Sequence, residues 1–362
     1  MYRQGFISCF FLAAVILTTC TSCNKDNRET RKAEDKFTWI DWTNTGTDTT
    51  IYYVSINGSD VNSGTSAQSA FKTLSKALRK VRDGGKIRIL PGSYSFSIFL
   101  ENWKLQNGIA IEGYKGMPVF DGKRNLPGGL FFEKCANIII DSIKFRNYTD
   151  FGIGGTFCQK LTFSNLVMQD NGHKAELKEW GDMDGFGLYI DDSEEILIEG
   201  CQATLNGPDP KIFPDPLLGT GIDTYRLKNS TISNNHSHHN IGGGILVEDG
   251  INVIVEGNEI NDNDLDASVD DWWDGGIWVD GGHDIFVRNN NFHHNIGPGI
   301  EISDEDNQHP TGYVLENNIS TKNYFGILIW NFGTNNWPDT SILINRHNNI
   351  SGNQQKDVWI MP

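Results

Sequence analysis

The sequence predicts an all-β fold in which short strands wind into stacked coils, with one short helix near the front. Three observations carry this. The 362 residues include 39 Gly, and Gly, Asn and Asp alternate with β-branched residues, a composition of strands and tight turns. A glycine followed by alternating apolar residues recurs, as in Gly187-Leu188-Tyr189-Ile190, Gly276-Ile277-Trp278-Val279 and Gly299-Ile300-Glu301-Ile302. Between these runs lies a second strand motif, Asn252-Val253-Ile254-Val255-Glu256-Gly257-Asn258 and its kin at Asp284 and Gly312. Each strand is too short to bury its apolar face alone, so the faces must stack coil upon coil.

The chain opens with Arg3 and an apolar run over residues 6–17, too short to span a bilayer and suited to export. Cys23 follows small residues and precedes polar Asn24, which resembles a bacterial lipoprotein signal; Cys20, with Leu17 three places upstream, is the alternative lipidation site. The resulting division is a signal over 1–22, a polar flexible tether over 23–50 and a coiled body over 51–362. The expected location is the bacterial outer membrane, on its periplasmic or outer face, with membrane contact only through the lipid.

Within the body, Leu74, Ala77, Leu78 and Val81 have helical spacing, and Gly84-Gly85 is the stop. A short helix there suits an end cap, which a repeat stack requires. Coil spacing then follows the recurring glycines at 187, 221, 244, 276, 299 and 326, which are 34, 23, 32, 23 and 27 residues apart. A propeller blade needs about 40 residues or more, which the 23-residue intervals do not supply. Asn258, Asn290, Asn317 and Asn348 fall at one point of the coil and are expected to hydrogen-bond along a column. Cys135 and Cys158, 23 residues apart, fall at equivalent points of adjacent coils and are expected to be neighbours, either bridged or merely stacked.

The run from Tyr52 to Tyr94, followed by the repeated Gly-Ile and Asn units, resembles the pectin-lyase-like superfamily of single-stranded right-handed parallel β-helices over residues 50–362. The resemblance implies a carbohydrate-active protein. It leaves open pectate and alginate lyases, polygalacturonases, xylosidases, epimerases and binding proteins. No Gly-His-Gly or Arg-Ile-Lys triplet of the polygalacturonase pattern occurs, and the Asp-Pro-His-Glu tetrad of the epimerases is absent.

Aligning the Gly-Ile strands gives two outward columns. One holds Tyr189, Asp223, Leu246, Trp278, Glu301 and Leu328; the other holds Asp191, Tyr225, Glu248, Asp280, Ser303 and Trp330. Acids and indoles thus share one ridge. Asp280 and Glu301, diagonal neighbours, are the expected catalytic pair, with Asp304 and Glu305 in reserve. One carboxylic acid protonates a glycosidic oxygen while the other carboxylate attacks or activates water. Trp272, Trp273, Trp278, Trp330 and Trp337, with Asp223, Glu248 and Arg226, are the expected substrate-binding residues, because aromatic faces suit sugar rings.

A glycoside hydrolase acting on a poly- or oligosaccharide is the leading expectation. The alternatives are a calcium-assisted lyase and a non-catalytic glycan binder. The hydrolase needs no cofactor. Calcium has weak candidates in Asp262, Asp264 and Asp266, although Ala267 stands where an EF-hand needs Gly. A net charge of −16 excludes nucleic acid as a partner. A monomer is expected.

Overall fold

The computed structural model describes residues 36–173, 183–210, 217–266, 274–305, 311–332 and 346–361. Three long parallel sheets dominate, one of 11 strands and two of 10. Successive strands go to successive sheets. Ile245–Glu248 lies in the first, Ile251–Glu256 in the second and Glu259–Asn261 in the third, and the chain then returns to the first at Ile277–Asp280. Each strand pairs with its counterpart one coil away, so every sheet runs along the stack.

The apolar member after each motif glycine builds the core. Leu130, Ile153, Leu188, Ile222, Ile245, Ile277, Ile300 and Ile327 stack in register and are all solvent-free. Alternate residues of the same strands face outward, as period-2 geometry demands. The helix is short: Leu74–Leu78, N-capped by Thr73, whose hydroxyl accepts from the Lys76 amide at 3.2 Å. It buries Leu74, Ala77 and Leu78 in the main core.

The ordered body begins earlier than residue 51. Thr38–Asp41, expected in the tether, is a strand paired with Ile98–Glu101 in the first sheet. Ile40 is buried, Trp39 stacks on Phe99 at 3.9 Å between centroids, and Trp103 Nε1 donates to the Ile40 carbonyl at 2.8 Å. Four residues with two apolar anchors are enough when a sheet edge is waiting for them.

An asparagine column is present, shifted by one residue at one coil. Its members are Asn235, Asn258, Asn290, Asn318 and Asn348, each side-chain carbonyl taking the backbone and side-chain N–H of the preceding member at 2.8–3.1 Å. Asn317 is instead exposed, with φ at +55°, in the left-handed region that Asn tolerates. A second column, not expected from the sequence, runs through Asn171, Asn206, Asn240, Asn263, Asn295, Asn323 and Asn353.

This second column explains the motif glycines. A Cβ at Gly187, Gly221, Gly244, Gly276, Gly299 or Gly326 would lie 2.6–2.8 Å from the Nδ2 of Asn206, Asn240, Asn263, Asn295, Asn323 or Asn353 respectively. The glycine leaves room for the asparagine amide at the corner where the third sheet turns into the first. Cys135, Cys158 and Cys201 are buried free thiols. Cys135 and Cys158 are stacked neighbours without a bridge, and burial first, then Cys158, pushes the Cys135 thiol well up.

Candidate functional site

The outward face of the first sheet carries the two expected columns in the expected register. Tyr189 pairs with Asp223, Asp223 with Leu246, Leu246 with Trp278, Trp278 with Glu301 and Glu301 with Leu328. Asp191 pairs with Tyr225, Tyr225 with Glu248, Glu248 with Asp280 and Asp280 with Ser303. Beyond Ser303 the register slips between Ile302 and Asp304, so that Asp304 pairs with Phe332. The ridge is covered rather than open: Asp223, Glu248, Asp280, Glu301 and Asp304 are each at most 3% exposed.

Burial divides the acids into two groups. In the first, Glu248 and Asp280 are direct column neighbours, on strands about 4.8 Å apart. Burial pushes the Glu248 carboxyl well above its ordinary range, and the charge acting most strongly on it is Asp280, followed by Asp223 and Asp249. Asp280 is held as an acceptor. Its Oδ1 takes the Ser303 hydroxyl at 2.5 Å and the Glu305 backbone N–H at 3.0 Å. The same Ser303 oxygen accepts from Trp278 Nε1 at 2.7 Å, which fixes the hydroxyl proton toward Asp280. Tyr313, which the sequence reading did not single out, donates its hydroxyl to the Gly281 carbonyl and lies in the field of Asp280 and Asp304.

The second group forms around Glu301. Its Oε1 accepts from Trp330 Nε1 at 2.5 Å, and its Oε2 lies 3.6 Å from the point where a Gly275 Cβ would stand. Burial raises the Glu301 carboxyl well above its ordinary range, and Asp274 is the strongest charge acting on it, ahead of Glu305 and Asp280. The expected pair, Asp280 and Glu301, therefore shares a face, but Glu248 is the direct column neighbour of Asp280, and Asp274 acts more strongly on Glu301 than Asp280 does. Asp274 comes from the connection between the third and first sheets. Asp274 lies outside the strands, where strand periodicity does not place it.

Of the expected aromatic wall, Trp278 and Trp330 meet with ring centroids 6.3 Å apart, against Leu246. Trp278 is 8% exposed, so it packs the ridge and does not present an open stacking face. Trp272, Trp273 and Trp337 lie outside the described residues. Arg226 pairs with Asp192 at 2.9 Å, covers the Tyr225 ring at 4.3 Å and also acts on the ridge acid Asp191. Asp264 and Asp266 come together with Asp274. Asp262 does not join them; it is half-buried and its carboxylate accepts from Asn261 Nδ2 at 2.5 Å.

Comparison with known proteins agrees with this architecture. Residues 182–354 match the family model described as a right handed beta helix region. An uncharacterised protein of Bacillus subtilis (strain 168), YwoF, is 27% identical over 343 residues, covering 82% of this chain and 67% of the relative. The crystal structure of pectate lyase Pel9A superimposes with a TM-score of 0.55 at 16% identity, over 78% of this chain and 75% of that one. The GH136 lacto-N-biosidase of Eubacterium ramulus gives a TM-score of 0.56 at 15% identity, over 84% of this chain and 62% of that one. The fold is a pectin-lyase-like right-handed parallel β-helix.

Proposed function

We propose that this chain is a glycoside hydrolase acting on a poly- or oligosaccharide, with its chemistry on the outward face of the first sheet. The carrying observation is the stacking of Glu248 on Asp280 in one dry column. Like acids directly opposite each other weaken a sheet, and burial makes the contact more costly. Such an arrangement is a mark of a working site. Glu248, held neutral by burial and by Asp280, is the proton donor to the leaving oxygen. Asp280, fixed by Ser303 and the Glu305 amide, is the carboxylate that attacks or activates water. Glu301 remains the diagonal acid of the original pair, and its surroundings favour a different role, taken up below.

A lyase needs a base at the ridge. Arg226, expected among the substrate-binding residues, is engaged by Asp192 and Tyr225, and Arg288 by Glu256, which does not favour either as that base. The fold likeness supports the architecture and leaves the activity to these residues. Export with lipid anchoring through Cys23 belongs to the same reading and rests on residues 3–24. A Cys23→Ser chain is expected to leave the membrane fraction, and its retention there would argue against the anchor.

The test of reaction class is product analysis on a panel of glycans with the full-length protein. Hydrolysis yields new reducing ends and no unsaturated sugar. An ultraviolet-absorbing unsaturated product identifies a lyase, and binding without any product identifies a glycan-binding protein. Either of these two outcomes overturns the proposal.

A further inference from the structure

The strongest unassigned feature is the acidic knot between the third and first sheets. Asp264 and Asp266 leave the third sheet just after ladder residue Asn263, and Asp274 precedes Gly275 and Gly276 at the entry to the next strand. Their backbones are pinned. The Asp264 amide donates to the Gly242 carbonyl at 2.8 Å and the Asp266 amide to Ile241 at 3.0 Å. One carboxylate oxygen from each of the three residues lies within 4.8 Å of the others. All three residues are at most 4% exposed.

Two further observations ask what neutralises them. Both carboxylate oxygens of Asp264, which has no solvent exposure, accept no hydrogen bond. Glu301, on the neighbouring strand and 1% exposed, uses Oε1 for Trp330, while its Oε2 accepts no hydrogen bond and stands beside Gly275. The charges that act most strongly on Asp264 are all carboxylates: Asp266, Asp274 and Glu301. A buried carboxylate oxygen that accepts no hydrogen bond is costly, and Asp264 and the Glu301 Oε2 both stand among further carboxylates, where a bound cation would offset that cost.

We propose that Asp264, Asp266 and Asp274, with Oε2 of Glu301 turned toward them, hold one hard divalent cation of the calcium class. The donor set is all oxygen, with no His or Cys sulfur or nitrogen, which selects against zinc and copper. Calcium takes oxygens at about 2.3–2.6 Å, so ligands of one ion lie up to about 5 Å apart, which the 4.8 Å grouping meets. Magnesium keeps most of its waters and demands a regular octahedron, which a dry knot of carboxylates suits poorly. The ion joins Asp264 and Asp266, at the end of the third sheet, to Asp274 and Glu301 at the first, beside the Glu248–Asp280 column. It is a resident ion of the fold, and this inference stands apart from the hydrolase reading.

The test uses full-length protein stripped with a chelator and then titrated with calcium chloride by calorimetry, and separately with terbium. Trp330, bonded to Glu301, is placed to sensitise terbium luminescence. One saturable ion per chain is expected, with a rise in Tm on calcium addition. Asp264→Asn and Asp274→Asn should each weaken binding by at least about tenfold, while Asp262→Asn leaves it unchanged. Circular dichroism of the stripped variants separates loss of the site from loss of the fold. Absence of saturable binding to folded wild-type protein overturns the proposal, as does unaltered affinity in folded Asp264→Asn. Neither result bears on turnover, so the site and the hydrolase reading fail independently.

Discussion

A single position separates Asn317 from Asn318, and the two have opposite roles. The Asn318 side chain closes a column bond with Asn348 at 3.0 Å and donates to the Val287 carbonyl at 2.7 Å, whereas Asn317 faces solvent. The paired Asn residues in the sequence mark the corner but do not say which of the two turns inward; only the strand register decides that. Asn290→Ala strands the Asn258 amide and the Val255 carbonyl, and is expected to cost about 2–4 kcal/mol in denaturant unfolding. Asn317→Gly, at a left-handed position, is expected to be within about 0.5 kcal/mol of wild type. Equal losses in the two variants would contradict the column assignment.

Asp191 gives a second prediction at this scale. Burial pushes its carboxyl up to about 6, against the pull of Thr156 and the Tyr189 hydroxyl at 3.0 Å. The folded chain therefore holds this proton more tightly than the unfolded chain, whose Asp titrates near about 4. The sign is the reverse of a salt-bridged acid: stability falls as pH rises from about 4 to about 6, by up to about 3 kcal/mol. Asp191→Asn removes that part of the slope. Melting curves of both proteins across this window check it, and parallel slopes would count against the account.

At the scale of elements, the motif glycine and the second asparagine column are halves of one corner. The glycines were visible in the sequence; the column was not read, although Asn235 and Asn240, Asn258 and Asn263, and Asn290 and Asn295 each stand five residues apart. A spacing of five matches neither strand nor helix periodicity. It reflects a three-residue strand between two corners, as at His236–His238 and Glu259–Asn261. Gly276→Ala drives a methyl to 2.7 Å from the Gly299 carbonyl and 2.8 Å from Asn295 Nδ2, and is expected to destabilise by about 1–3 kcal/mol. An unfolding midpoint equal to wild type would show that the corner has slack.

Across the whole molecule, strand periodicity was enough to align both outward columns from Tyr189 to Glu301, because parallel stacking converts sequence spacing into spatial neighbours. What it missed lies in the connections. Asp274, which acts on Glu301, lies before the strand and not in it, and the strand at Thr38–Asp41 adds to the stack from a stretch that is mostly polar. The slip at Ile302 is likewise a local bulge with no repeat behind it. The ridge acids divide into the Glu248–Asp280 column pair and a group around Glu301 and Asp274, where the sequence suggested one diagonal pair.

The central claim is that the Glu248–Asp280 column performs chemistry. It is tested most directly by measuring turnover and glycan affinity together in Asp280→Asn and Glu248→Gln. The account predicts that both variants fold and bind the glycan as wild type does, while kcat falls by roughly a thousandfold or more. Wild-type turnover in either folded variant would contradict it.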